Sequence, residues 1–270
     1  MHRLRNQILL FVPTAAAALT ALGLHRYRMD NYIDDMGLLI GGNLPGKLLW
    51  VLTFGFVGYL LILLSTLGGR GSYGDNFPRN ALCGLLMAVA GGVMLLSARD
   101  LSVVSDAGVP VQTQLLAELM VVLTDSAMGV LPWLSGAAMV VLGLMRMTGR
   151  KPLFLFSGIL CLFYMLMLIR SYRLWSADPQ LHAYCFQLLA MVLLLLCSFH
   201  RTCCDAGVIQ RRKLLLTAMT AAVCCAASLS GGFQPGFFLG SGLWAMGCAC
   251  DPAVLPPDPE EEEGQEDEIS

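Results

Sequence analysis

The chain has 270 residues, of which 56% are hydrophobic and 13% are charged, about half the charged fraction of a typical soluble domain. Its net charge of −2 hides an uneven distribution. Residues 251–270 hold nine acidic and no basic side chains, and the remainder holds seventeen basic and ten acidic ones. This composition excludes an ordinary soluble protein. The basic remainder is typical of the loops of a membrane protein and not of nucleic-acid binding.

Apolar runs recur along the chain at lengths near the 20 or so residues that a spanning helix needs. The first run follows a basic start that also suits a signal peptide, but more runs follow and we expect it to be retained. We predict eight spans, with a range of seven to nine, at residues 7–24, 48–67, 81–97, 128–145, 153–169, 183–199, 214–229 and 236–250. The last run is short and glycine-rich, which fits either a full span or a re-entrant hairpin.

The predicted fold is therefore all-α, a polytopic transmembrane helical bundle over residues 1–250. The tail at residues 251–270 is acidic and proline-rich, with too little apolar surface to fold, so we predict that it is disordered. In the third span Gly84, Ala88 and Gly92 recur every four residues, which predicts a small-residue stripe for close helix packing. The ten cysteines fall mostly in apolar runs, where cysteine behaves as a small hydrophobe and not as part of a disulfide framework.

Residues 111–124 form an apolar but polar-striped segment before the fourth span. Gln114 and Glu118 are one helical turn apart, and Asp125 lies seven residues further, so all three share one helix face. The segment suits an amphipathic helix at the membrane interface. The alternative is a polar stripe that lines a cavity, since ionisable groups at membrane depth tend to be functional.

Two polar segments flank the sixth span. Before it, Asp178 and His182 are one turn apart, in a spacing that suits a helix cap or ion pair and, less simply, a catalytic pair. After it comes a basic loop that we predict to contact a protein partner or anionic lipid, through Arg201, Arg211, Arg212 and Lys213. We predict no metal site and no cofactor.

Part of this region resembles a known group of sequences. The resemblance covers about residues 175–212 and is carried by Trp175, Ser176, Asp178, Pro179, Tyr184, Phe186, Gln187, Leu188, Leu189, Ala190, Arg201, Asp205 and Arg212. The segment resembles uncharacterised multi-pass membrane proteins of clostridia-like anaerobic Gram-positive bacteria. The resemblance implies a bacterial plasma membrane and carries no activity and no site.

The sidedness of the bundle is predicted from its positive charges. With eight spans, eleven of the seventeen lysines and arginines fall on the side that holds both termini, and six fall on the other. Because cytoplasmic loops are enriched in Lys and Arg, we predict that the N-terminus and the C-terminus are both cytoplasmic.

The sequence favours a non-enzymatic function, because it carries no recognised catalytic motif. The interiors of the eight predicted spans hold no Asp, Glu, Lys or Arg, which argues against a proton-coupled pump. We therefore predict a small-solute permease-like protein, or a membrane component that acts with partners. The alternatives are an integral membrane enzyme that acts on a lipid or envelope precursor, with Glu118, Asp125, Asp178 and His182 converging, or a sensory or scaffolding domain.

Overall fold

The structure is a computed structural model that describes nine segments of the chain. They are residues 2–33, 42–66, 80–103, 115–150, 152–176, 181–206, 208, 211–231 and 234–250. These segments contain eight α-helices and no extended sheet strand. In chain order the helices are α1 (His2–Asn31), α2 (Leu44–Thr66), α3 (Ala81–Val103), α4 (Leu115–Thr148), α5 (Phe154–Ser176), α6 (Leu181–Asp205), α7 (Arg211–Ser228) and α8 (Pro235–Ala249).

The all-helical prediction is confirmed, and each of the eight predicted apolar runs lies within or largely within one helix. Six of these helices, α1 to α6, contain a stretch long and apolar enough to cross a membrane. Two helices fall short of that standard: α7 begins with three basic residues, and α8 has only 15 residues. Among the described residues, six of the eight helices are therefore candidate spans by length and composition. The tail at residues 251–270 lies outside the described residues.

The sequence predicted a separate interfacial helix over residues 111–124. From Leu115 onward, this segment instead belongs to α4. Those residues form the beginning of α4, which runs without interruption for 34 residues. The reason is local: no proline or glycine stands between Leu115 and Ser126, so nothing breaks the helix before the apolar run. At about 1.5 Å per residue, α4 is longer than the roughly 30 Å hydrocarbon core of a bilayer.

Helices α1 and α2 run in opposite directions, as do α3 and α8, whereas α1 and α7 run in the same direction. The start of α1 and the end of α8 therefore lie at one end of the bundle. Tyr59, late in α2, donates a hydrogen bond of 2.8 Å to the carbonyl of Leu9, early in α1. Asn80, before α3, donates one of 2.9 Å to the carbonyl of Cys250, just after α8. We call this end the terminal end and the opposite one the far end.

Helices α7 and α8 occupy the centre of the bundle. Thirteen of the 18 residues of α7 are buried, and α8 packs against α3, α6 and α7. The α8 ring of Trp244 is fully buried, and Tyr164 of α5 donates a hydrogen bond of 3.1 Å to the Ser241 hydroxyl. Because other helices shield them, α7 and α8 need fewer lipid-facing residues. Residues 235–249 form one continuous helix, so the re-entrant hairpin is excluded.

Helices α3 and α4 are in direct backbone contact. A Cβ atom added at Gly84 would lie 2.5 Å from the carbonyl oxygen of Gly143, and one at Gly91 would lie 2.6 Å from that of Gly136. The predicted stripe is therefore partly wrong, because Gly92 has no such neighbour within 4 Å. At about 100° per residue, position 91 lies within about 20° of position 84 on the helix, whereas position 92 lies about 80° away.

Large apolar side chains cover the outside of the bundle. Leu19 and Ile62 are each 70% exposed and Leu96 is 83% exposed. Such an apolar exterior is expected where the surrounding solvent is the hydrocarbon of a bilayer. Seven of the ten cysteines are buried, in keeping with their prediction as small hydrophobes.

Candidate functional site

A polar pocket opens at the far end of the bundle, where α1, α2 and α6 meet. Its volume is about 230 Å³, below the roughly 300–1,000 Å³ of sites for drug-sized ligands. It combines basic and amide side chains with an aromatic wall. We call it the far-end pocket; its lining residues are Arg28, Gly42, Asn43, Gly46, Lys47, Trp50 and Cys185.

The start of α2 forms one side of the far-end pocket. The Asn43 side chain accepts a hydrogen bond of 2.9 Å from the backbone N–H of Gly46, which caps the first turn of α2. Pro45 follows in that first turn, where its missing N–H costs no helical hydrogen bond. The positive end of the α2 dipole therefore lies at the pocket.

Arg28, near the end of α1, contributes a buried cation to the same pocket. Arg28 is only 7% exposed. The guanidinium lies directly against α2, since a Cβ added at Gly46 would come within 3.3 Å of its Cζ and Nε atoms. Arg28 Nε is buried and has no hydrogen-bond partner among the described residues. Lys47 adds a second positive charge at the exposed rim.

A set of buried polar groups lies behind the aromatic wall of the far-end pocket. The ring of Phe186 packs 4.7 Å from Trp50 and 6.3 Å from His25, measured between centroids. His25 Nδ1 lies 2.6 Å from the Ser230 hydroxyl. His25 and Gln187 are each 1% exposed, and His25 Nε2 and Gln187 Oε1 lack partners within the described part of the chain.

At the terminal end, α4 and α6 meet in a buried ionic cluster. Arg201 Nε lies 3.2 Å from one carboxylate oxygen of Asp205 and donates a hydrogen bond of 3.3 Å to the other. The guanidinium of Arg146 lies 4.0 Å from the same carboxylate. All three side chains are at most 2% exposed, so the carboxylate offsets two buried positive charges.

This cluster changes one conclusion from the sequence. Arg146, Arg201 and Asp205 lie just beyond the ends of the predicted spans, yet they fall within the candidate spans of the structure, Ser126–Thr148 and Tyr184–Asp205. The predicted spans contain no charged side chains, but the longer candidate spans of the structure do contain them. Helices α4 and α6 extend past their apolar runs, and the charged side chains at their ends are buried and paired with one another.

The polar residues singled out before the fourth and sixth spans are only partly described. Glu118 and Asp125 lie on α4 and His182 lies on α6, but the positions of their side chains are not described. Gln114 and Asp178 lie outside the described residues. A cavity or interface at these residues, and their convergence, therefore stays a prediction.

The four basic residues proposed as a contact surface occupy two environments at the terminal end. Arg201 is 1% exposed and belongs to the buried ionic cluster. Arg212 and Lys213 are exposed at the start of α7, and Arg211 is partly buried. Contact of these residues with lipid or a partner stays a prediction. Of the four, Arg212 and Lys213 are exposed and could form such a contact.

The sequence reasoning missed the far-end pocket and the ionic cluster for different reasons. The start of α2 carried a usable signal, since asparagine followed by proline two residues later is typical of a helix N-terminus. No sequence signal could have predicted that His25 pairs with Ser230 or that Arg146 pairs with Asp205, because the partners are distant in sequence. Among the described residues, no group of three or more His, Cys, Asp and Glu side chains could hold a metal ion.

Comparison of the chain with known protein families, curated proteins and solved structures found no match. The class of the protein therefore comes from its own fold. Six apolar helices, an apolar exterior and polar groups turned inward define a helical integral membrane protein.

Proposed function

We propose that this chain is a non-enzymatic, permease-like membrane protein that binds a small solute between its helices. The far-end pocket is the observation that carries the proposal. It is open at one end of the bundle, and Phe186 lies between its Trp50 wall and the buried ring of His25, whose Nε2 has no partner among the described residues. A buried polar atom without a partner costs about 1–3 kcal/mol, and polar groups inside membrane bundles commonly mark solute pathways.

Native mass spectrometry of the full chain, gently extracted from its host membrane, tests this proposal. We expect a small molecule to be retained by the wild-type protein and lost from Trp50→Ala, because Trp50 lines the far-end pocket. Phe54→Ala is the matched control, since Phe54 is an exposed aromatic residue one turn further along α2 that does not line the pocket.

Either of two results would contradict solute binding. One is a wild-type protein that carries no small molecule but retains a second protein, which would favour a subunit or scaffold. The other is a bound molecule that both variants retain equally.

We further propose a bacterial plasma membrane location with both termini in the cytoplasm. Two features support this orientation: the start of α1 and the end of α8 lie together at the terminal end, and the loops and termini assigned to that side hold eleven of the seventeen lysines and arginines. Positive residues of short loops are retained on the cytoplasmic side. The resemblance of residues 175–212 to bacterial membrane proteins agrees with this location.

We propose that the acidic tail screens basic residues of the terminal end from anionic lipid until a partner displaces it. Deleting residues 251–270 removes nine acidic side chains that would otherwise screen basic groups such as Arg212 and Lys213 from anionic lipid. We expect the truncated protein, reconstituted in neutral nanodiscs, to bind anionic liposomes more tightly and with a steeper salt dependence. A chain in which the nine acidic residues are replaced by Asn or Gln should behave like the deletion. Unchanged liposome binding and salt dependence would contradict this prediction.

A further inference from the structure

We propose that the far-end pocket binds a phosphate group, carried either by a lipid headgroup or by a free phosphorylated solute. This inference rests on the proposed function, since it names the chemical class that the solute site recognises. It is carried by three observations at one place: a buried arginine, a helix N-terminus and a second cation at the rim.

The buried arginine is the strongest of the three. Arg28 is 7% exposed, it lines the pocket, and its Nε has no hydrogen-bond partner among the described residues. Removing a guanidinium from water is costly unless an anion or acceptors replace the lost hydration. The nearby Asp30 pairs with Arg26 and not with Arg28: the Asp30 carboxylate lies 3.8 Å from Arg26 Nε, on the exposed face of α1.

The N-terminus of α2 reinforces the same preference. α2 has 23 residues and begins beside the pocket, so its partial positive charge acts on whatever fills that space. The glycine at position 46 lets the guanidinium approach the helix, because a Cβ there would lie 3.3 Å from Arg28. Because Pro45 has no N–H and the Gly46 N–H is bonded to Asn43, the helix acts through its dipole, and the Arg28 guanidinium supplies the hydrogen-bond donors.

The two positive charges of the site favour a phosphate monoester, which carries a charge of about −1.5 to −2 at pH 7, over a singly charged anion such as a carboxylate. Arg28 and Lys47 supply two positive charges, and the arginine fork matches two oxygens of a phosphate. A volume of about 230 Å³ admits a headgroup-sized molecule, and the partly buried ring of Trp50 provides an apolar wall for the group attached to the phosphate.

Isothermal titration calorimetry of the full chain in neutral-detergent micelles tests the inference. The probes are inorganic phosphate, glycerol 1-phosphate, short-chain phosphatidic acid and short-chain phosphatidylcholine. We expect Arg28→Gln to weaken binding of the phosphate probes about tenfold or more, as expected when a charge-assisted bond is lost. Arg26→Gln is the matched control: it removes an equal charge two residues away from an exposed side chain.

The probes separate the two sources of phosphate. Binding of inorganic phosphate or glycerol 1-phosphate that depends on Arg28 identifies a free solute. Binding of phosphatidic acid alone, with the same dependence, identifies a lipid headgroup. The inference is overturned if no phosphate probe binds, or if Arg28→Gln and Arg26→Gln behave alike.

Two further controls keep the test decisive. If Arg28→Gln does not fold, Lys47→Gln replaces it, because Lys47 is exposed and its loss should weaken phosphate binding without unfolding α2. The proposed function fails separately, in the mass spectrum: a retained molecule without phosphate would overturn only this inference, whereas the absence of any retained molecule would also remove the proposed function.

Discussion

Replacing Asp205 with asparagine is expected to lower the free energy of unfolding by about 3–5 kcal/mol, the usual cost of breaking a buried ion pair from one side. Asp205 has a fully buried side chain, 3.2 Å from Arg201 and 4.0 Å from Arg146. Its loss removes the negative charge that both guanidiniums share in a water-poor environment, where charges interact far more strongly than at a surface.

Sodium dodecyl sulfate titration of the protein in mild-detergent micelles, followed by circular dichroism, measures this change. Asp30→Asn is the matched control, since Asp30 forms an exposed pair with Arg26 and such pairs contribute about 0–1 kcal/mol. A triple variant with Arg146→Met, Arg201→Met and Asp205→Leu should recover much of the stability, because it removes the buried charges together. Equal losses for Asp205→Asn and Asp30→Asn would contradict a structural ionic cluster.

The second large effect is expected where α3 meets α4. Gly91→Ala should destabilise the bundle by about 1–3 kcal/mol, the usual cost of overpacking. The new Cβ would lie 2.6 Å from the carbonyl oxygen of Gly136 and 2.7 Å from the backbone nitrogen of Val140. Both are backbone atoms, which cannot rotate away as the end of a long side chain can, so the helices must separate.

The neighbouring glycine provides the control for this prediction. Gly92→Ala adds the same methyl group to the same helix, but nothing lies within 4 Å of the added Cβ. Its effect should be neutral or stabilising by up to about 1 kcal/mol, since alanine is the better helix former. The same titration measures both variants. If Gly92→Ala is as damaging as Gly91→Ala, direct backbone contact is not what the glycine provides.

The sequence by itself determined the class of the protein and located the eight apolar helices that the structure describes. Eight apolar runs of suitable length predicted eight helices, because in a bilayer the backbone must satisfy its own hydrogen bonds and a helix does so locally. The apolar runs also predicted that the outer surface of the bundle is apolar. The sequence signal was weaker at helix ends: the segment from Leu115 was predicted to be separate, but it continues into α4 since no residue interrupts it.

Only the tertiary structure decided which polar groups meet. The partnership of Arg146 with Asp205, and of His25 with Ser230, depends on helices far apart in sequence that pack side by side. The same holds for Gly91, which contacts α4 where Gly92 does not, because a helix turns about 100° per residue and its neighbour selects one face. The far-end pocket exists for that reason too, because Arg28 and the start of α2 lie side by side only once α1, α2 and α6 are assembled.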